Sequence, residues 1–195
     1  MIKNDTMKAP STFSQSRYAL YGLALAAAVI VCDQLTKWWA FELVLRKTGA
    51  ALTFPQWIGA TMADIDPAAY GVLPLLPFFN LVTVWNQGVS FGMFSSGAAQ
   101  TVLMLSAVAF TVSAALLAWL WRAENRLIAT ALGCIIGGAL GNVIDRLRFG
   151  AVADFLDFFA GQWHWPAFNL ADSAIFIGAA LLMFDALFGH NKGEA

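Results

Sequence analysis

The chain has 195 residues, of which 59% are hydrophobic and 12% are charged, and its formal net charge is −1. A soluble domain carries about 25% charged residues, so the composition argues against a soluble enzyme, a disordered chain and a secreted disulfide module. The lack of a basic excess argues against a nucleic-acid-binding protein, which needs cations to displace counterions from phosphates. A mean hydropathy of +0.67 leaves an integral membrane protein as the class that fits.

Four apolar stretches are long enough to cross a membrane. A span needs about 20 apolar residues, and it must be helical because lipid offers no partner for an unpaired backbone group. The stretches cover residues of about 19–41, 101–121, 127–146 and 167–188. We therefore expect an all-α membrane protein with four transmembrane helices, folded as a single integral membrane domain over residues 1–195, with an outer region at about 42–98.

Charged flanks predict how the chain crosses the membrane. The N-terminus, the connection 122–126 and the C-terminal tail are basic, and four spans put all three on one side. The positive-inside rule identifies that side as the cytoplasm, so both termini are expected there. In the outer region, Phe79–Trp85 is rich in β-branched and aromatic residues and ends at a turn signal, Asn86–Gly88. This pattern predicts a short strand on the membrane surface.

Ionisable residues inside the spans are the first candidates for a functional site, because a charge at a helix centre costs about 2.5–3.5 kcal/mol on insertion scales. Asp33 and Lys37 are spaced i, i+4 with the acid first, so they can pair on one helix face. A structural pair and a direct catalytic role both remain open. At the outer end of the third span, Asn142 and Arg146 share a face that Asp145 can join, and the Asp-Arg neighbours are typical of an interfacial ion pair.

The glycines of this span recur every four residues and predict close helix packing: Gly133, Gly137 and Gly141.

Asp154 and Asp172 lie just after the third span and just inside the fourth. Because these two spans are antiparallel, both carboxyl groups fall near the outer surface and can converge. Two close carboxyl groups share one proton, and such a pair can activate a water and protonate a carbonyl oxygen. The spacing alone leaves open that Asp154 is a helix cap and Asp172 an ion-pair partner.

Other chemistries receive less support from the sequence. The chain has no His/Cys spacing typical of zinc and no nucleophile elbow, and nothing in the spacing supports a dyad of Ser90 and Lys37. A small ion or solute transporter using the intramembrane carboxylates, and a scaffold without chemistry, are the alternatives to an enzyme. A transporter usually carries internal repeats with broken helices, and none is evident here.

Five sequence blocks occur in an order and spacing that resemble bacterial lipoprotein signal peptidase, also called signal peptidase II. The blocks are Asp33-Gln-Leu-Thr-Lys37, Asn86-Gln-Gly-Val-Ser-Phe91, Gly137-Gly-Ala-Leu-Gly-Asn-Val-Ile-Asp-Arg146, Val152-Ala-Asp-Phe155 and Phe168-Asn-Leu-Ala-Asp-Ser173. The resemblance implies four transmembrane helices with a small periplasmic β-cradle and a short outer helix. It also implies an aspartic endopeptidase that uses no metal or cofactor and is inhibited by globomycin-type peptides.

The implied substrate is a prolipoprotein whose Cys carries a diacylglyceryl group, cut just before that Cys at the periplasmic side of the bacterial inner membrane. The resemblance makes Asp154 and Asp172 the catalytic dyad. It implies substrate-binding or site-supporting roles for a further set: Asp33, Lys37, Asn86, Gly88, Asn142, Asp145, Arg146 and Asn169. Lipid and lipid-modified substrates are the expected partners, no nucleic acid is expected, and we expect a monomer. Residues 53–70 are interpreted as an insertion relative to the family, and Ser90 stands where Ala is common.

Overall fold

The computed structural model describes residues 12–88 and 98–188. Five α-helices and four strands make up this part of the chain. The helices are α1 (Thr12–Trp38), α2 (Phe54–Gly59), α3 (Ala98–Leu120), α4 (Arg126–Phe149) and α5 (Leu170–Phe188). The strands are β1 (Leu73–Leu76), β2 (Phe79–Asn86), β3 (Val152–Ala160) and β4 (Trp163–His164).

Four of the helices are long and apolar enough to span a membrane, as the composition predicted. The first span is longer than the predicted 19–41, because α1 continues into a π-helical segment, Trp39–Leu45. The other spans follow their predicted ranges to within three residues at each end, with α4 extending to Phe149 and α5 starting at Leu170. The protein is therefore a multi-pass membrane protein.

Helix α4 is the centre of the bundle and packs against α1, α3 and α5. The glycine stripe makes this possible: a Cβ at Gly133 would lie 2.6 Å from the Gly22 carbonyl oxygen, and one at Gly137 would lie 2.7 Å from that of Ala26. These glycines act in packing, as predicted. Gly141 differs, because a Cβ there would lie 2.9 Å from a carboxylate oxygen of Asp33, so this glycine makes room for a polar side chain.

A four-stranded antiparallel sheet in the order β1-β2-β3-β4 lies at the end of the bundle where α4 ends and α5 begins. Strand β2 matches the predicted strand. The expectation that β structure belongs to the outer region, 42–98, was incomplete, because β3 and β4 come from the segment between α4 and α5. Asp154 lies in β3, paired in register with Val84 of β2, so it belongs to a strand and does not cap a helix.

The segment interpreted as an insertion, residues 53–70, forms α2 and two 3₁₀ turns, Met62–Asp64 and Pro67–Ala69. It contributes the fully buried Trp57 to a hydrophobic core that lies between the π-helical segment and the sheet. Trp57 packs with Phe41 and Phe149 at ring-centroid distances of 5.8 and 5.3 Å. This aromatic core fixes the outer region to the ends of α1 and α4.

Candidate active site

Asn169 is the polar centre of the candidate site and is completely buried. Its side-chain amide donates to Asp154 Oδ1 at 2.7 Å and to Asn142 Oδ1 at 3.1 Å. The other oxygen of Asp154 accepts a hydrogen bond from Asn86 Nδ2 at 3.0 Å. Strand β2 and the residue that precedes α5 therefore hold the Asp154 carboxyl group in one orientation, and Asn142 of α4 holds Asn169.

Asp172 is fixed by the first turn of α5. The Asn169 side chain accepts from the Asp172 backbone N–H at 3.0 Å, and the Asp172 carboxyl group accepts from the Asn169 backbone N–H at 3.2 Å. This reciprocal arrangement is a capping box. Asn142 Nδ2 donates to the same carboxyl group at 2.7 Å, so Asn142 and Asn169 join the two aspartates in one network.

The two aspartates differ in their surroundings. Asp154 is only 1% exposed, whereas Asp172 is half-buried and lines an apolar pocket with Trp165, Phe168 and Phe176. Burial raises the pKa of Asp154 to about 7, and the charge of the nearby Asp172 acts in the same direction. Hydrogen bonds from Asn86 and Asn169 oppose this rise. At neutral pH the pair can therefore hold a proton on Asp154.

Lys37 occupies the centre of a buried ionic cluster beside the network. Its ammonium group lies 2.7 Å from Asp33 and 2.6 Å from Asp145, and all three side chains are 0% exposed. The predicted pairing of Asp33 with Lys37 along the helix is confirmed. The expectation that Asp145 pairs with a neighbouring arginine at the membrane interface was wrong, because Asp145 faces α1 and is neutralised by Lys37.

The ionic cluster is coupled to the segments that carry the two aspartates. The other oxygen of Asp33 accepts from the Ala171 backbone N–H at 3.0 Å, one residue before Asp172. Asp145 accepts from the Ala153 backbone N–H at 3.1 Å, one residue before Asp154. Each acid of the cluster therefore positions the backbone next to one aspartate of the network.

The remaining predicted residues lie at the edge of the site. Arg146 is half-buried within electrostatic range of Asp172, Asp145 and Asp154, and its Nε has no hydrogen-bond partner among the described residues. Gly88 has a left-handed backbone with φ of +75°. Its N–H donates to the Asn86 side chain at 2.8 Å, which helps to hold Asn86 against Asp154. Residues 89–91, which complete the sequence block that begins at Asn86 and include Ser90, lie outside the described residues.

Two buried polar residues were missed by the sequence reasoning, Gln34 beside the ionic cluster and Glu42 in the outer region. Gln34 donates to Asp145 at 2.9 Å and accepts from Arg148 at the same distance. Glu42 accepts from Arg46 and from the Tyr70 hydroxyl, both at 2.7 Å. Glu42 and Arg46 are spaced i, i+4 at the end of the first span, and this spacing could have indicated the pair.

The described residues contain no cluster of His, Cys, Asp and Glu suited to a metal ion. Their chemistry is that of two carboxyl groups beside an apolar pocket, one of them with a pKa raised by burial to about 7, with neutral amide donors between them. Such a pair can remove a proton from a water and donate one to a carbonyl oxygen.

Comparison with known proteins identifies the family to which the chain belongs. Residues 25–188 match the family model described as signal peptidase (SPase) II. The lipoprotein signal peptidase of Methylobacterium sp. (strain 4-46) is 41% identical over 179 residues, covering 92% of this chain and 96% of the relative. That of Beijerinckia indica subsp. indica is 50% identical over 119 residues, covering 61% and 71% of the two chains.

The fold also has a solved counterpart. A structure described as a bacterial membrane enzyme, determined by the in meso method at 2.3 Å resolution, aligns with a TM-score of 0.65 and 24% identity. The alignment covers 90% of this chain and 93% of that chain. At this identity the likeness supports the fold, whereas the family model and the relatives carry the assignment. The chain belongs to the signal peptidase II family.

Proposed function

We propose that this protein is an aspartic endopeptidase of the bacterial inner membrane that removes the signal peptide from diacylglyceryl-modified prolipoproteins, cutting just before the lipidated Cys. The observation that carries the proposal is the single network of Asp154, Asn169, Asn142 and Asp172 at the outer end of the bundle. Family membership supplies the substrate class, and the network supplies two carboxyl groups able to hydrolyse a peptide bond.

The two aspartates take different roles in the first step. Asp172, which lines the pocket, removes a proton from a water as the water oxygen attacks the scissile carbonyl carbon. Asp154, whose pKa burial raises to about 7, gives its proton to the carbonyl oxygen. In the second step Asp154 recovers that proton, Asp172 protonates the departing amine nitrogen, and the C–N bond breaks. Both carboxyl groups return to their starting state.

The neighbouring residues hold this pair in place. Asn169 and Asn142 are neutral, so they hold both carboxyl groups in place without neutralising the negative charge of an ionised aspartate. The buried ionic cluster of Asp33, Lys37 and Asp145 supports the backbone before each aspartate. Arg146, whose Nε has no hydrogen-bond partner within the part of the chain that the structure describes, is proposed to bind a substrate carbonyl group. These are positioning and binding roles.

The location of the site suits a lipid-anchored substrate. The apolar pocket beside Asp172 continues along α5 through Phe176 and Ile177, so it lies against the membrane interior. A substrate Cys with two acyl chains in the bilayer is held at the depth of the network, which lowers the entropic cost of aligning the peptide bond. We place the site on the periplasmic side, with both termini in the cytoplasm, from the distribution of basic residues. The protein is proposed to act as a monomer.

The proposal is tested with purified protein in detergent and a diacylglyceryl-modified prolipoprotein, followed by gel shift and intact mass. We expect a shortened product that begins at the lipidated Cys, no cutting of the unmodified precursor, and inhibition by globomycin. Failure to cut under conditions where a lipoprotein signal peptidase from a relative is active would contradict the proposal.

The family assignment gives no support to the alternative of an ion or solute transporter. A matched measurement addresses it directly: proteoliposomes carrying the protein without substrate are expected to show the same ion flux as empty liposomes.

A further inference from the structure

A groove of about 570 Å³ runs over the outward face of the sheet and has no role in the chemistry proposed above. Its floor is formed by β2, and its walls by Val72 on one side and the segment 165–167 on the other. Trp165 lines both this groove and the apolar pocket that contains Asp172. The groove therefore adjoins the candidate active site at Trp165.

The strand register gives the length of the groove. Val84 lines its near end and is the cross-strand partner of Asp154. Asn80 lines its far end and is the partner of Asp157. A register shift between Leu81 and Val84 sets these four steps of β2 against three steps of β3, so at ~3.3 Å per residue the stretch spans ~10–13 Å. An extended peptide that leaves the aspartate network along this groove would reach Asp157 about three or four residues later.

A cluster of hydrogen-bonded polar side chains lies at the far end of the groove. The Asp157 side chain is 8% exposed and accepts from Asn80 Nδ2 at 3.0 Å. His164 Nδ1 lies 2.8 and 3.0 Å from its two oxygens, and the imidazole ring is stacked on Phe159. No Lys or Arg forms a salt bridge with Asp157 among the described residues. The Asp157 carboxylate therefore lies beside any peptide that binds in the groove.

The direction of the groove identifies the part of the substrate that it fits. The apolar pocket follows α5 into the membrane, which suits the signal peptide and the acyl chains. The groove leads the other way, over the outer sheet and away from the bilayer. Only the polypeptide after the lipidated Cys must leave the membrane, so it is the segment that this path suits.

We propose that the groove is a binding site for the first residues of the mature lipoprotein and that Asp157 sets a preference among them. The proposal rests on the function proposed above and names a further part of its substrate. A cationic side chain four or five residues into the mature segment lies against the Asp157 carboxylate and is favoured, and an acidic one is disfavoured.

The test compares two diacylglyceryl-modified prolipoproteins that differ only in carrying Lys or Asp at the fifth mature residue. The wild-type protein is expected to cut the Lys substrate with a kcat/KM about fivefold to tenfold higher, the size expected for a partly exposed charge pair. In Asp157→Asn this ratio is expected to fall to about one. Asp66→Asn removes a charge from an exposed outer position and should keep the wild-type ratio. Because the ratio is taken within each variant, a general loss of activity does not change it.

A second measurement needs no variant of the enzyme. A photo-reactive phenylalanine analogue at the fourth mature residue is expected to cross-link to the groove, at Val82 or the 164–167 segment, in the wild-type protein. Equal cutting of the Lys and Asp substrates by wild type, or cross-links to α2 instead, would overturn this inference while leaving the proposed function intact. Failure of wild type to cut either substrate would overturn both.

Discussion

Replacement of Lys37 by Met tests the buried ionic cluster that supports the site. The ammonium group is completely buried and lies 2.7 and 2.6 Å from two equally buried carboxylates. Methionine fills a similar volume but leaves Asp33 and Asp145 facing each other without a cation. Breaking a buried pair by removing one partner costs about 3–5 kcal/mol. For a chain of this size that corresponds to a fall in Tm on the order of 10 °C.

The assay is thermal unfolding of the purified protein in one detergent, with Lys47→Met as the control. Lys47 is exposed, so the same substitution there should change stability by less than about 0.5 kcal/mol. Adding Asp145→Asn to Lys37→Met should cost less than the sum of the two single losses, by about 2 kcal/mol, because the two residues are coupled. A Lys37→Met variant as stable as Lys47→Met would refute the buried ion pairs.

Three further predictions concern the pH dependence, the helix packing and the outer region. Because burial raises the pKa of Asp154 to about 7, kcat/KM should fall as pH rises through about 7 and this residue loses its proton. Its contribution to stability has the same sign, being complete below the ordinary Asp pKa and lost as pH rises through about 7. Gly141→Ala places a Cβ 2.9 Å from an Asp33 oxygen and should cost about 1–3 kcal/mol in thermal unfolding. Arg148→Met removes the hydrogen bonds that its guanidinium donates to backbone carbonyls in and just after α2, so amide hydrogen exchange in Phe54–Gly59 should become faster.

Each of these predictions has a matched control. The pH dependence of Tm should be weaker in Asp154→Asn, and an unchanged dependence would assign the effect to another group. Gly59→Ala adds a methyl group where nothing lies within 4 Å, so equal losses at this position and at Gly141 would contradict the packing argument. Arg122→Met alters an exposed arginine outside α2 and should leave exchange in that helix unchanged.

Features of the fold and of the site that depend on residues close in sequence could be predicted from the sequence. Hydropathy predicted the four spanning helices because the membrane imposes their length and composition. The i, i+4 spacing predicted that Asp33 and Lys37 pair, since both lie on one helix. Strand β2 was predicted from its β-branched and aromatic residues. Each of these features depends on neighbours within a few residues along the chain.

Contacts between residues far apart in the sequence could not be predicted in the same way. The partner of Asp145 depends on how α4 packs against α1, and the sequence gives only the glycines that allow close approach. Strand β3 was not predicted because its pairing with β2 joins segments more than 60 residues apart. The assignment of Asp154 and Asp172 as a pair came from the resemblance to a family, because their spacing alone left a cap or an ion pair open. The pair as catalytic residues remains a prediction.

The most direct test of the aspartate pair is cleavage of a diacylglyceryl-modified prolipoprotein by Asp154→Asn and Asp172→Asn, beside wild type and Asp185→Asn. Asp185 lies on the same helix as Asp172 but about 20 Å further along its axis, so its variant should cut at the wild-type rate. We expect both dyad variants to be folded, with unfolding transitions like that of wild type, and to yield no shortened product. Substantial turnover by either folded variant would contradict catalysis by this pair.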